Sequence, residues 1–240
     1  MITLVACGSE STERQIPADA LVVANGTVID GTGADPIQNG VVVIEGDRIT
    51  AVGQTGDFAI PAEAQVIDAS GGAILPGIIN AHVHVTSPAT QRLFLTEGIT
   101  TVCDTGAPSG VLAQVDRDFG GRPVARRFRA GPIIGPPRGY EVSYEVTGPD
   151  EARAAVADLA DRGADYIKIA LDAGELSFPV LSLEEVRAIV GDVQLSFPVL
   201  SLDEVRAIVD EAHKRGLLVR AHAQHFDMFN LALDGGVDSI

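Results

Sequence analysis

Two histidines separated by a single residue are the strongest chemical feature of this sequence. Residues 75–84 read LPGIINAHVH, so an apolar run follows a Pro-Gly turn and ends at His82 and His84. Side chains at positions i and i+2 of a strand point to the same side, so both imidazoles should project together. Two neutral imidazoles side by side form half of a transition-metal site. We therefore expect His82 and His84 to bind metal rather than to be two surface histidines.

A lysine inside an apolar run is the second candidate. Lys168 lies between Ile167 and Ile169, and its side chain should face the same side as Tyr166 and Ala170. Buried lysines are rare because removing an ammonium group from water costs several kcal/mol. Lys168 is therefore expected either to pair with a buried carboxylate or to have a chemical role.

The elements that must position these residues alternate between strand-like and helical patterns from residue 76 onward. Such alternation indicates βα units and a parallel sheet, whose functional residues gather at the carboxyl ends of the strands. The expected strands are 78–85, 100–104, 127–133, 166–170 and 217–223, with 237–240 beginning a sixth, and the expected helices include 149–162 and 202–215.

Residues 19–75 show a different pattern, in which short apolar strands follow one another without a helix. Hairpin-linked strands of this kind predict a small β-sandwich or open barrel. Residues 1–18 are expected to be a leader or linker. Residues 4–9, LVACGS, match a bacterial lipoprotein box in which Cys7 would carry the lipid, although such a signal normally has an apolar segment of ~7–15 residues ahead of it. The expectation is envelope attachment through Cys7 if the box is real, and otherwise a disordered N-terminus of a cytoplasmic protein.

Composition excludes several classes of function. The formal net charge is −16, so the surface should repel phosphate backbones and nucleic-acid binding is not expected. No apolar run approaches the ~20 residues of a membrane-spanning helix. The two cysteines of the chain do not form a disulfide framework.

One segment of the sequence is duplicated. Residues 176–190 recur as residues 195–209, and the copies differ only at Glu184 and Asp203. Two copies are too few for a solenoid, so the repeat reads as a local tandem duplication or an assembly error within one βα unit. Each copy carries a capping box, but only the second runs on into a long helical pattern. We expect the second copy to form the helix and the first to be a loop insertion.

The order of these motifs resembles the amidohydrolase superfamily, from about residue 20 to the end of the chain. In that superfamily a small β-sandwich precedes a strand that ends in His-x-His. The similarity continues in residues 100–104 (TTVCD), 164–169 (ADYIKI), 220–223 (RAHA) and 232–240 (ALDGGVDSI). Within the superfamily the chain looks most like the branch of imidazolonepropionase-like proteins and Xaa-Pro dipeptidases.

The resemblance implies a set of metal ligands. His82, His84 and His222 would bind two divalent metals, expected to be zinc, and Lys168 would be carbamylated and bridge them. The alternatives are a structural ion pair for Lys168 and a hydrogen-bonded core histidine for His222. Asp104 is expected to orient a ligand from outside the metal shell.

The resemblance also implies a reaction. A hydroxide bridging the metals would attack the carbonyl of a small-molecule amide, cyclic amide or dipeptide and cleave its C–N bond. Tyr140 and His225, which follow strands in the expected βα loops, are candidates for substrate contact, although a solvated role is also open for His225. Two alternatives remain: an ester or lactone hydrolase with the same metal centre, and a non-catalytic binding module.

The expected fold is α/β, a partial (β/α)8 TIM barrel over residues 76–240 behind the small β domain. A complete barrel needs ~250 residues, so about five and a half βα units are expected here. By the resemblance, a further histidine and a general-base aspartate would lie beyond Ile240. We therefore expect the 240-residue polypeptide alone to aggregate and to lack hydrolase activity.

Overall fold

The computed structural model describes residues 13–106, 123–139, 142–171, 199–224 and 226–240. Contacts divide the chain into two compact units, Met1–Pro76 and Gly77–Ile240. Each unit has its own apolar core.

The first unit is built on one mixed five-stranded sheet. Its central strand β2 buries alternate residues, among them Val22 and Ala24, as expected for a sheet with one covered face. β2 pairs antiparallel with β3, β3 pairs antiparallel with β4, and β6 and β7 run parallel to β2. The strands of this unit are β1 (Arg14–Gln15), β2 (Leu21–Val28), β3 (Ile37–Glu45), β4 (Arg48–Gln54), β5 (Phe58–Ala59), β6 (Gln65–Asp68) and β7 (Ala73–Ile74).

A two-stranded pair, β1 with β5, accompanies this sheet. Phe58 of β5 and Ile16 pack with Val22, Val41 and Val43 in one buried cluster. Within the described part of this unit, one large sheet and one short pair are present, so the β-sandwich itself stays a prediction.

The second unit alternates strands and helices, and every strand pairing in its described part is parallel. This is the α/β architecture with parallel sheets that the sequence predicts. The sheet orders are β10-β9-β8 and β12-β11-β13-β14. The elements are β8 (Ile78–Val83), α1 (Pro88–Thr96), β9 (Ile99–Asp104), β10 (Arg126–Arg129), β11 (Ile134–Gly135), β12 (Tyr144–Glu145), α2 (Pro149–Asp161), β13 (Ile167–Ala170), α3 (Leu202–Lys214), β14 (Val219–His222) and α4 (Phe226–Gly235).

Only the first part of the expected strand 127–133 forms a strand. β10 ends at Arg129, and β11 begins only at Ile134. Pro132 lies between them and has no N–H to donate to a neighbouring strand. β10 pairs with β9, whereas Ile134 of β11 pairs with Ile169 of β13. The prediction is therefore wrong beyond Arg129, and a separate strand, β11, begins after the predicted end.

Helices α2 and α3 cover the β13–β14 side of the second unit. Small and branched side chains on both helices are fully buried together with Ile167 and Ile169 of β13. This cluster fixes the strand that carries Lys168. None of the helices in the described ranges is long and apolar enough to cross a bilayer. The buried helical residues are Ala152, Ala155, Val156 and Leu159 of α2 and Val205, Ala207, Ile208, Val209 and Ala212 of α3.

The second copy of the duplication forms the start of α3. Ser201 Oγ accepts a hydrogen bond from the Glu204 N–H at 3.3 Å, and the Ser201 N–H donates to Glu204 Oε2 at 2.7 Å. This is a complete capping box, as the sequence predicts. The other Glu204 oxygen accepts from the Gly148 N–H at 2.5 Å, so the cap also ties α3 to the start of α2. The first copy, residues 176–190, lies outside the described residues.

Deleting residues 176–194 should leave the thermal unfolding temperature unchanged or raise it, because the second copy alone supplies α3. A deletion of equal length, residues 195–213, is the matched control. That control brings Gly191 to the helical position of Asp210, and an interior helical glycine costs about 0.5–1 kcal/mol. Differential scanning calorimetry on both variants checks the prediction. A large loss of stability with the first deletion alone would mean that both copies pack in the core.

A carboxylate holds the end of the chain to β14. Asp238 Oδ2 accepts hydrogen bonds from the Val219 N–H at 2.8 Å and from His213 Nε2 at 2.9 Å. Ser239 forms a parallel bridge with Arg220, where the sequence places the start of a sixth strand. Partial burial alone would raise the pKa of Asp238, but the hydrogen bonds from His213 and Val219 outweigh it, so this pKa lies below its ordinary value.

Asp238→Asn should therefore reduce stability at neutral pH and flatten the dependence of stability on pH. A lowered pKa means that Asp238 stabilises the fold above its ordinary value of 3.8, and that this contribution disappears as the pH falls through the lower folded value. Urea unfolding between pH 3 and pH 7 measures the slope. Asp234→Asn, an exposed change on α4, is the control that should leave the slope intact. Equal slopes for both variants and the parent protein would show that the hydrogen bonds of Asp238 to Val219 and His213 do not stabilise the fold.

Candidate metal centre

His82 and His84 come together at the carboxyl end of β8. Their ring centroids lie 5.4 Å apart, and the ring planes meet at 68°. His82 lies in β8 and is exposed, whereas His84 follows the strand by one residue and is half-buried. The shared orientation of the i and i+2 side chains brings both imidazoles to one place, as expected for half of a metal site.

The orientation of His84 is fixed by a backbone carbonyl. His84 Nδ1 forms a short hydrogen bond with Gly106 O, just after β9. A carbonyl oxygen only accepts, so Nδ1 carries a proton, and in the neutral imidazole Nε2 is the nitrogen with the free lone pair. Metal-binding histidines commonly donate their second ring nitrogen in this way, which fixes both the tautomer and the direction of the ring.

Asp104 stabilises the backbone around the His84–Gly106 contact. It accepts hydrogen bonds from the backbone N–H groups of Val85 at 3.2 Å and Gly106 at 3.3 Å. Arg127 Nη1 lies 3.6 Å from its other oxygen. Burial raises the pKa of Asp104, and the hydrogen bonds and the charge of Arg127 offset this only in part. Asp104 thus acts on His84 through the backbone segments on either side of the His84–Gly106 contact.

Lys168 is buried in β13, with 2% of its surface exposed. Its register partner on β14 is Arg220, and Ala170 is the partner of His222. Because side chains alternate along each strand, Lys168 and His222 face the same side of the sheet, one row apart. His222 Nε2 lies 3.1 Å from the Gln224 amide nitrogen, so that amide holds one nitrogen of the ring.

The four expected ligands therefore occupy two sheets of one unit, as a histidine pair on β8 and a lysine–histidine row on β13 and β14. Within the described ranges, no three or more His, Cys, Asp or Glu side chains form a group that could hold a metal ion. The complete ligand set thus stays a prediction. The donor chemistry of the pair fits a divalent metal, because two imidazoles lie together and one has its tautomer fixed. Tyr140, His225 and Cys7 lie outside the described residues.

Three residues that contact the histidine strand were not predicted. Gly106 supplies the carbonyl for His84, and Asn80 and Arg220 hydrogen-bond to the backbone beside His82. A signal for Arg220 was available, since it shares strand parity with His222 in the run VRAH. Asn80 likewise shares parity with His82.

The chain is similar to several known enzymes. No protein-family model matches the chain. The chain is 30% identical over 174 residues to 5-methylthioadenosine/S-adenosylhomocysteine deaminase of Symbiobacterium thermophilum, covering 57% of this chain and 38% of that protein. A putative prolidase from Bifidobacterium longum superposes with a TM-score of 0.70 at 30% identity, covering 92% of this chain and 53% of the other.

A further solved structure, described as an amidohydrolase, superposes with a TM-score of 0.71 at 26% identity, covering 91% of this chain and 59% of the other. The chain thus spans between about two fifths and three fifths of the length of these proteins. A deaminase, a prolidase and an amidohydrolase share one enzyme superfamily, and the order of motifs along this chain agrees with it. The relatives and solved structures to which this chain is similar all fit the amidohydrolase superfamily.

Proposed function

We propose that the protein is a metal-dependent hydrolase that cleaves C–N bonds in small amides, either cyclic or within a dipeptide. The observation that carries the proposal is the buried amine of Lys168 on the same side of the sheet as His222. A buried ammonium is costly unless it is paired, and a second cation, Arg220, is its register partner. The neighbouring positive charge favours a carbamylated Lys168 over a protonated one.

A carbamate on Lys168 would reverse the sign of its charge and offer two oxygens. His82, His84 and His222 would complete the ligand set that this chain contributes. When bound, two divalent metals, expected to be zinc, supply a hydroxide at neutral pH and polarise the carbonyl oxygen of the substrate. The roles of the chain itself are to orient the His84 ring through Gly106 and to keep that corner in place through Asp104.

Relatives support the bond type at a coarse level. The deaminase and the prolidase are both named for the cleavage of C–N bonds, although in different substrates. The prolidase likeness covers most of this chain and favours a dipeptide with proline as the leaving residue. We therefore place Xaa-Pro dipeptides first among the substrates to be tested, with Tyr140 and His225 as proposed substrate contacts.

The test is an assay of a chain that carries the complete barrel, after chelation and after reloading with Zn²⁺, Mn²⁺ or Co²⁺. The panel contains Xaa-Pro dipeptides, cyclic amides and lactones, and His82→Ala is the inactive control. Metal-dependent hydrolysis of a dipeptide or cyclic amide supports the proposal. Turnover of lactones alone would replace it with the ester-hydrolase alternative. Bound metal without any turnover would indicate a non-catalytic binding module.

A further inference from the structure

The peptide bond between Ala81 and His82 lies where the pairing of β8 with β9 is irregular. β8 and β9 are in register at Asn80 with Val102 and again at Val83 with Asp104, with a shift between them. In the described pairing, Ala81 and His82 have no register partner on β9. Irregularities of this kind re-aim side chains next to active sites. The direction of His82 therefore depends on whatever else fixes the Ala81–His82 peptide.

Two side chains hold this peptide from its two polar ends. The His82 N–H donates to Asn80 Oδ1 at 3.2 Å, and the Ala81 carbonyl accepts from Arg220 Nη1 at 2.9 Å. Asn80 belongs to the same strand, so it holds the peptide only locally. Arg220 lies 139 residues away in sequence, on β14. It is thus a long-range support of this peptide.

Arg220 is itself held in place by an aromatic ring. Its Cζ lies 4.6 Å from the ring centroid of Tyr166, just before β13, and Tyr166 is only 5% exposed. Such a cation–π contact is worth about 0.5–2 kcal/mol. A guanidinium group can stack on a ring and still donate in its own plane, which a lysine ammonium cannot reproduce. Tyr166 Oη makes no hydrogen bond within the described residues, so the ring rather than the hydroxyl supports Arg220.

Arg220 is also held next to Lys168 and His222 by the pairing of β13 with β14. β13 and β14 are in unbroken parallel register from Ile167 with Val219 to Ala170 with His222. Arg220 thus sits on the strand of His222, beside Lys168, and reaches the peptide of His82. One side chain links the histidine pair to the lysine–histidine row.

We propose that Arg220, stacked on Tyr166, is a positioning residue that sets the direction of His82 relative to Lys168 and His222. The proposal rests on the proposed function, since the consequence of this positioning is metal affinity. Arg220 itself is not a ligand, because its guanidinium is cationic and is directed at a carbonyl.

The experiment compares Arg220→Met, Arg220→Lys, Tyr166→Phe and Tyr166→Leu by Co²⁺ titration, followed through the visible absorption spectrum of the bound ion. Arg220→Met should weaken Co²⁺ binding about 10–100-fold, the range found for residues that orient metal ligands, and should alter the spectrum. Arg220→Lys should bind Co²⁺ more tightly than Arg220→Met but more weakly than the parent protein. Tyr166→Leu should show an affinity similar to that of Arg220→Lys. Tyr166→Phe keeps the ring and should bind Co²⁺ like the parent protein.

The matched control is Arg206→Met on α3, where an arginine Nε also donates to a backbone carbonyl, that of Asp234, at 3.4 Å. A readout without metal is the hydrogen exchange of the His82 amide, measured by NMR. Arg220→Met should speed this exchange, whereas Arg206→Met should not. If the parent protein binds no metal but Arg220→Met still speeds the exchange, the positioning role stands and the proposed function fails.

Unchanged exchange of the His82 amide and unchanged Co²⁺ affinity in Arg220→Met would overturn the proposal, whatever the loss of thermal stability. Arg220 would then be only a structural link between strands. Should Arg220→Met fail to fold, Arg220→Lys and Tyr166→Leu decide by the same two readouts.

Discussion

In a chain that carries the complete barrel, Lys168→Ala should lose most of the bound metal and about 10²–10³-fold in activity, since a metal contributes several kcal/mol to the stabilisation of the transition state. The side chain is only 2% exposed, so the amine is largely removed from bulk water. An ammonium group at this position would repel divalent cations. A carbamate would attract them.

Chemical rescue separates a carbamate from an ion pair. Short carboxylic acids in millimolar amounts should restore part of the metal content and activity of Lys168→Ala, because a carboxylate in the vacated space offers the same two oxygens. Lys168→Glu should retain some metal for the same reason. Lys214→Ala, which removes an exposed lysine of α3, is the matched control. Full metal content and activity in Lys168→Ala would make Lys168 a structural residue and the site a mononuclear one.

Gly106→Ala should cause a second large loss, in stability and in metal affinity together. Gly106 has a φ of +91°, and a Cβ there would lie 2.4 Å from the Gly131 carbonyl oxygen and 2.9 Å from Ile133. The left-handed conformation alone costs an alanine about 1–2 kcal/mol, and overpacking adds about 1–3 kcal/mol. The shift that relieves the clash also moves the carbonyl that orients His84, so metal affinity should fall about 10–100-fold.

Gly163→Ala is the matched control for this change. Gly163 has a φ of +87°, but a Cβ there would meet nothing within 4 Å. The control therefore carries the backbone strain without the clash and should leave metal affinity unchanged. Chemical denaturation and Co²⁺ titration of both variants check the prediction. Equal destabilisation by the two changes, with metal affinity intact in both, would show that the Gly106 corner does not support His84.

Local patterns made much of the second unit predictable from the sequence. The alternation of apolar strands with helices sets the parallel order of β8, β9, β13 and β14, and the capping box sets the start of α3. The pairing of His82 with His84 follows from the two-residue period of a strand. These features depend on residues that are close in sequence, and the local chain geometry determines them.

Contacts between distant segments were not predictable in the same way. The hydrogen bond from Arg220 to Ala81 depends on how two sheets face each other, and the role of Gly106 depends on a backbone angle and on the position of Gly131. The end of the strand before Pro132 was predictable, because a proline cannot donate a hydrogen bond within a sheet. The apolar residues around Pro132 outweighed this in the prediction. In related sequences, polar residues that share strand parity with a ligand, such as Asn80 and Arg220 here, can be used to find residues that position that ligand.

We propose that His82 and His84 are the core of a divalent-metal site. The most direct measurement is the metal content of the purified protein by inductively coupled plasma mass spectrometry, after loading with Zn²⁺ and removal of loosely bound ions. We predict that the parent protein and His213→Ala, which alters an exposed histidine of α3, retain zinc, and that the double variant His82→Ala/His84→Ala loses it. Zinc retained by the double variant, or absent from the loaded parent protein, would show that His82 and His84 are not the core of a metal site.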